Sequence, residues 1–361
     1  MSEKLLKIGV IGLLRGNSLA FRASDHKNAR ITAVCDIDPQ RVKNTQGYFA
    51  EKGNNIPEGF TDVDEFLAKG DFEAVIVANY ATEHVPMVVK CLDAGKHVLS
   101  EIPAVSSVEE IKTLREAVAA HPKQKYMLAE NCNYWAFVQA WKKMYEDGTL
   151  GEAIYCEAEY LHSNDYREHK PYPDPNHWRL HNPAIKYCTH ELGPLLDILN
   201  DRCVSVSCMI PETVYNPYRS PQQNGVALFR TEKGAVIRLL IIFDGYVGFD
   251  HNYAIIGTRG SIHTDKNTFV CDEAHSFASL SSIPDSMRRQ IEIPVSTHFA
   301  NESAEGHGGC DGKMVHAFID CVLNDTDPPI GIDLAINMTL PGIIAAESAK
   351  QGGVLLEIPK L

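Results

Sequence analysis

The sequence predicts a two-domain α/β protein, with an N-terminal doubly wound parallel sheet over residues 1–128 and a C-terminal α+β domain with a mostly antiparallel open sheet over 129–361. Three observations predict it. The chain has 361 residues, more than a single hydrophobic core usually sustains. Short apolar runs alternate with helix-like stretches up to residue 128. Beyond about residue 130 the runs lengthen and alternate apolar with polar, which suits a sheet with one exposed face.

The first run, Lys7 to Gly12, is apolar and ends on glycine, as a strand buried on both faces does. Leu13-Leu14-Arg15-Gly16-Asn17-Ser18 then leads into a helical stretch, and a second run, Ala29 to Cys35, ends on Asp36. An acidic residue about 20 positions past a glycine turn is the spacing of a strand-helix-strand unit that holds a dinucleotide. Further strands are expected over Glu73–Ala78, His97–Ser100 and Lys125–Ala129, with helices over His84–Ala94 and Val108–Ala120 between them. In the second domain Ile154–Tyr160 and Gly234–Ile242 alternate as strands. The stretch His162–Pro183, rich in His, Pro, Asn and Asp, is long for a plain connection and reads as a lid or functional loop.

Composition excludes several classes. With 44% hydrophobic and 22% charged residues the chain has no disorder signature. A net charge of −13, from 34 Lys and Arg against 47 Asp and Glu, opposes binding to nucleic acid. Ten cysteines are scattered and never form a C-x-x-C pair, so they read as buried thiols of a cytoplasmic protein. No segment reaches the ~18 apolar residues of a membrane span, and no signal sequence precedes the first strand.

Three clusters carry chemistry. In the glycine turn Leu14 holds the second glycine position of G-x-G-x-x-G, and Gly16 comes one residue early. Asp36 can accept from both ribose hydroxyls and repels a 2′-phosphate, which favours NAD over NADP. A tight turn with a solvated aspartate is the plainer alternative. In the second cluster, Lys186, Tyr187 and His190 fall three and four residues apart near a helix start, so a phenol, an imidazole and an ammonium can share one face. A polar helix entry has the same pattern. The third, Gly306-His307-Gly308-Gly309, places an imidazole in flexible backbone, or forms a turn. Of the histidines at 162, 169, 177 and 181, His177 and His181 are four apart, a spacing that would align two ligands on a helix, but Asn182-Pro183 follows at once with no helical pattern and no H-E-x-x-H or cysteine pair, so no metal is expected. Tyr166, Tyr172 and Trp178 in the same stretch suit stacking on a sugar.

The glycine turn, Asp36, the stretch Ala94 to Pro103 and the Leu150-Gly151-Glu152 turn together resemble the glucose-fructose oxidoreductase/inositol dehydrogenase/MocA (Gfo/Idh/MocA) superfamily over essentially the whole chain. Glu101-Ile102-Pro103-Ala104, Met127 to Asn131, Tyr187 to Pro194 and His307-Gly308-Gly309 resemble its branch of NAD-dependent α-N-acetylgalactosaminidases. The resemblance implies a Rossmann domain with NAD contacted by Gly12, Leu14, Arg15, Gly16, Asn17, Asp36, Asn79, His84, Glu101 and Pro103. It implies a substrate site, in the cleft between the domains, with His190 and Tyr187 as catalytic groups and Arg179, Trp178, His307 and Asn131 as substrate-binding groups. Two departures bear on mechanism. The superfamily's dehydrogenases carry Glu-Lys-Pro where this chain has Ile102, and an Asp four residues before the histidine where it has Lys186. Lys186 is therefore a candidate replacement for the missing lysine, or a surface ammonium.

The implied chemistry is oxidation of a ring carbinol, at C3, to a keto-sugar. In the glycosidase branch this acidifies C2–H, the C1 group leaves, water adds and the hydride returns, so the cofactor is not consumed. The expected partner is a small carbohydrate or glycoside, in a homo-oligomer that covers the open sheet face. The rival reading is a non-catalytic sensor that binds NAD or a sugar.

Overall fold

The computed structural model describes residues 4–162, 182–214, 221–266, 275–283, 290–294 and 306–361. Contacts between residues divide the chain into two compact units, one running to Glu130 and joined by Asp311–Ile336, the other made of Asn131–Cys310 and Asn337–Leu361. The stretch Asp311–Ile336, which the sequence division leaves in the second domain, is tied to the first by specific bonds. Leu128 N–H donates to the Ile330 carbonyl at 3.0 Å, and Lys125 and Arg115 pair with Asp325 and Asp333 at 2.9 and 2.6 Å.

The first unit holds a six-stranded sheet of β1 (Leu6–Ile11), β2 (Ala29–Cys35), β3 (Glu58–Phe60), β4 (Ala74–Val77), β5 (His97–Ser100) and β6 (Tyr126–Leu128), in the order β3-β2-β1-β4-β5-β6. Every pairing is parallel. Its central strands are apolar without alternation because helices cover both faces, and Ile8, Val75, Ile76 and Val98 are fully buried. The order reverses between β1 and β4, where ligands of open α/β sheets bind beyond the carboxyl ends of the strands.

Helix capping in this unit is uneven. Asp38, Asp62 and Ser107 cap the helices Pro39–Glu51, Val63–Lys69 and Val108–Ala120, each accepting a backbone N–H from the first turn. The helix Arg15–Ser24, directly after β1, begins on Leu14 with no side-chain cap and no acidic residue in its first turn. Its first N–H groups are left for a different acceptor.

The second unit is built on a nine-stranded sheet. It comprises β7 (Ala153–His162), β8 (Cys203–Met209), β9 (Asn224–Thr231), β10 (Val236–Ile242), β11 (Phe249–Gly257), β12 (Gly260–Thr264), β13 (His275–Leu280), β14 (Ile291–Pro294) and β15 (Leu356–Glu357). The order is β14-β13-β12-β11-β7-β10-β9-β8-β15, antiparallel except for the parallel β10-β7 pair. Alternation on β9 buries Ala227 and Phe229 and exposes Val226 and Leu228. On the covered face lies the helix Thr189–Leu199, apolar almost all round and buried, closed by Asn200 in the left-handed region at φ 46°. Among the described residues no helix is long and apolar enough to cross a membrane, and the nine described cysteines are all buried and form no disulfide with one another.

Candidate active site

The first unit's site is made by sterics at the end of β1. Gly12 has φ +84°, and a β-carbon there would lie 2.4 Å from the Ala78 carbonyl oxygen. Only glycine fits so close an approach of the turn to the end of β4. Gly16 serves a second purpose, since a β-carbon would meet Val10 at 2.9 Å and Ala78 at 3.2 Å, so the helix packs directly on the sheet. Tight turn and close helix packing are thus both served, while Leu14, 74% exposed, stands in the remaining glycine position.

Asp36, 6% exposed at the end of β2, accepts the Leu13 N–H at 2.7 Å and the Asp38 N–H at 2.9 Å. Each oxygen keeps a further lone pair for a ribose hydroxyl. Arg15 is held in place by Glu101, 2.8 Å from its Nε, and by both oxygens of fully buried Asp311, each at 2.8 Å. Although burial opposes the charge, the two carboxylates hold the guanidinium well above its ordinary range. His84 is buried, with Nδ1 3.0 Å from the Pro103 carbonyl oxygen and Nε2 3.3 Å from that of Asn79. It braces the two loops that follow β4 and β5, and burial keeps it neutral by pushing its pKa below 6.5.

These residues fit a dinucleotide. The side-chain oxygens of Asn17 and Asn79 are buried with no hydrogen-bond partner among the described residues, and the uncapped helix start lies beside Asn17. Orphaned polar groups around a glycine turn are what a polar ligand would satisfy.

The second unit's site is a cluster of rings. Lys186 and Tyr187 lie on a 3-10 turn, Ala184–Tyr187, and His190 lies in the first turn of the helix that follows. The Tyr187 and His190 rings meet edge to face at 5.2 Å. Tyr160 joins them from β7, 6.4 Å from Tyr187 and 5.6 Å from His190. His251, opposite Tyr160 in the β7-β11 register, stacks on it at 4.2 Å. Trp135 closes the cluster 5.0 Å from His251, and its indole N–H donates to the His307 carbonyl at 3.2 Å.

One local feature orients His190. Pro194 lies four residues on and has no N–H to give the His190 carbonyl. The Tyr253 hydroxyl donates to that oxygen instead, at 2.7 Å.

Of the residues expected from sequence, the structure brings Tyr187 and His190 together and puts His307 near enough for its charge to disfavour protonation of His251. Asn131 is buried, 3% exposed, in the 3-10 turn Asn131–Tyr134 that packs against the helix Thr189–Leu199. Lys186 is half-buried on its turn. Arg179, Trp178, Tyr166, Tyr172, His169, His177 and His181 lie outside the described residues. Sequence reasoning missed Tyr160, His251, Tyr253 and Asp311. The one signal available was Pro194 four residues after His190, which announces an unsatisfied carbonyl and therefore a donor from elsewhere.

Residues 6–129 match the model of an oxidoreductase family with an NAD-binding Rossmann fold, and residues 138–263 match the GFO/IDH/MocA C-terminal domain. A glycosyl hydrolase family 109 protein of Phocaeicola vulgatus is 26% identical over 91% of this chain and 78% of its own length. Another, from Solibacter usitatus, is 27% identical over 98% of this chain and 87% of its own length. Among solved structures, levoglucosan dehydrogenase with NADH and levoglucosan superposes with a TM-score of 0.81 at 19% identity, covering 99% of this chain and all of that one. The scyllo-inositol dehydrogenase of Lactobacillus casei with NAD(H) and scyllo-inositol gives 0.75 at 18%, over 98% and 99%. With a dinucleotide turn in the first unit and the family's own second domain following it, the chain belongs to the Gfo/Idh/MocA oxidoreductase family and carries its NAD-binding Rossmann domain.

Proposed function

We propose that the protein is an NAD-dependent oxidoreductase of a carbohydrate or glycoside that oxidises a ring carbinol, at C3, to a keto-sugar as the opening step of redox-assisted glycoside cleavage. The observation that carries this reading is the edge-to-face contact of Tyr187 and His190 at 5.2 Å, in a chain whose other unit is built for a dinucleotide. NAD, when bound, supplies a hydride acceptor.

The chain's own residues do the proton work. A carbinol that becomes a ketone must release its hydroxyl proton, and His190 takes it at a ring nitrogen. The new ketone acidifies the neighbouring C–H, and Tyr187 is the base for that proton or the partner that returns His190 to its starting state. Lys186 supplies positive charge at the oxidised oxygen, in place of the lysine whose position Ile102 fills. Asn131, His307, Arg179 and Trp178 bind the sugar. In the first unit, Gly12, Leu14, Arg15, Gly16, Asn17, Asp36, Asn79, His84, Glu101 and Pro103 hold or brace the nucleotide. The open sheet face, with Val226, Leu228 and Ile256 between 41% and 49% exposed, is covered by a second copy of the chain.

The family 109 relatives support the cleavage step, and the Tyr187–His190 pair supports the oxidation. Native mass spectrometry and an absorbance scan, repeated with a panel of glycosides, test both. Retained NAD with aglycone release and no lasting absorbance of reduced nicotinamide is the expected result. Accumulating NADH with a keto-glycoside product makes the protein a dehydrogenase instead. Nucleotide binding without turnover of any glycoside makes it a sensor.

A further inference from the structure

The reaction as read leaves two buried groups beside His190 unused. Glu130 and Cys132, 0% and 2% exposed, flank Asn131 where the chain leaves β6 for the 3-10 turn Asn131–Tyr134. That turn packs against the helix Thr189–Leu199, which carries half-buried His190 in its first turn. A carboxylate oxygen of Glu130, Cys132 Sγ and a ring nitrogen of His190 all lie within 4.8 Å of one another, the one such group among the described residues. The Cys132 thiol donates to Asn131 Oδ1 at 3.5 Å, a weak bond that a stronger partner displaces. No sequence motif announces the group, because its third member comes from a different element.

We propose that Glu130, Cys132 and His190 form a binding site for a zinc-class divalent cation, and that an ion held there excludes His190 from its part as proton acceptor. The second half rests on the functional reading, and the first does not. The donor set selects the ion. A thiolate with an imidazole suits zinc or cobalt, whereas magnesium and calcium take oxygen ligands. At bond lengths of about 2.0–2.3 Å a tetrahedral ion spaces its ligands roughly 3.3–3.6 Å apart, so the three atoms close by little more than about an ångström. Three protein ligands leave the fourth position to water, as in an open zinc site. Charge balances as well. On binding, the Cys132 thiol and any protonated Glu130 carboxyl lose their protons to solvent, and thiolate and carboxylate together neutralise a dication among buried groups. His251, 6.1 Å from His190 between ring centres, adds no positive charge, since burial holds it well below the ordinary histidine range. A neutral imidazole has one lone pair on its ring nitrogens. The ion takes the lone pair that would otherwise accept the carbinol proton, so the two compete.

The test is a titration of the full chain with NAD, first stripped by a chelator, with cobalt(II) chloride, read by absorbance. A thiolate bound to cobalt gives a ligand-to-metal charge-transfer band that carboxylate and imidazole ligands alone do not give. The band is expected to saturate at one ion per chain and to be displaced by zinc. Cys132→Ser should abolish it, while Cys208→Ser, outside the group, should keep it. Glu130→Gln and His190→Ala should each weaken binding by more than about 100-fold, beyond the roughly 10- to 100-fold that an outer partner of a metal site is worth. No one-to-one band in the wild type, or a band that survives Cys132→Ser, overturns the site. In glycoside turnover zinc should inhibit the wild type, a chelator should restore the rate, and inhibition of Cys132→Ser should need about 100-fold more zinc. A bound ion that leaves turnover unchanged overturns the exclusion of His190. A cobalt band in protein that turns over no glycoside leaves the site standing and removes the functional reading. Turnover with no band does the reverse.

Discussion

The nucleotide turn and the ring cluster are built on opposite principles. At the turn a contiguous stretch, Gly12 to Asn17, sets the shape by sterics, because a β-carbon at Gly12 would sit 2.4 Å from a backbone oxygen. The ring cluster is assembled from separate elements, and only Tyr187 and His190, three residues apart, are near neighbours in sequence. A site shaped by backbone is rigid and indifferent to most side chains. One shaped by side chains is chemically rich, and each ring depends on strand register.

The largest expected effects separate the two regions. His190→Ala should lower glycoside turnover by about 10² to 10⁴-fold, the usual worth of a positioned acid-base group, and leave NAD affinity unchanged. Gly12→Val should do the opposite to binding. Its side chain meets the Ala78 carbonyl in a backbone region L-residues avoid, so NAD affinity by calorimetry should fall more than about 100-fold, a loss of several kcal/mol in the combined steric and conformational terms. If His190→Ala also abolished NAD binding, the two regions would not be separable, and the contrast would fail.

Next in size is a variant that tests how local the turn is. Arg15 belongs to the contiguous stretch, but its forked partner Asp311 comes from the far end of the chain, 296 residues away. Asp311→Ala leaves a largely buried guanidinium with Glu101 as the carboxylate at its Nε and only the Ser18 hydroxyl, at 3.4 Å, near Nη1. Breaking a buried pair costs about 3–5 kcal/mol, and Arg15's partial exposure reduces that to roughly 2 kcal/mol, read in urea denaturation. No loss would mean that the turn needs nothing from outside itself.

That division also accounts for what was legible in the sequence. The parallel sheet, five of its six strands and Asp36 were readable because burial on both faces leaves an unbroken apolar run and because the glycine-to-aspartate spacing is local, whereas the three-residue edge strand β3, with two of its residues exposed, was not. Tyr187 and His190 were readable because they lie three apart. Tyr160 and His251 were not, since they meet only through the β7-β11 register, which no single strand's pattern fixes. Asp311 was hidden for the same reason: its partner lies far away in sequence, and one aspartate after a glycine run looks like any helix start.

Acid should expose a cost that both regions share. His84 in the first unit and His251 in the second are both buried, with folded pKa values below the ordinary 6.5. Above pH 6.5 each is neutral whether folded or unfolded, and stability is flat. Below it the unfolded chain binds the extra protons, so stability falls as pH drops towards the folded values, by up to about 1.4 kcal/mol per pH unit for each group. Thermal melting from pH 7.5 to 5 should show the decline, a range chosen to span the roughly 6.5 reference for histidine. His84→Gln should flatten part of it.

The smallest effect bears on how His190 is held. Tyr253→Phe removes the donor that serves the His190 carbonyl, and the part-buried oxygen then has no N–H from Pro194 to fall back on. The loss should be about 1 kcal/mol of stability, with turnover reduced because the first helical turn loosens. Pro194→Ala restores an N–H at the position that the helix geometry demands. In that background the carbonyl has its own partner, so Tyr253→Phe should cost only a few tenths of a kcal/mol. Additivity of the two substitutions would mean that the hydroxyl does not stand in for the missing Pro194 N–H, since phenylalanine keeps the ring contacts with Trp135 and Phe137. Coupling would mean that a helix-breaking residue is tolerated beside His190 because a strand residue 63 positions away replaces the bond it removes.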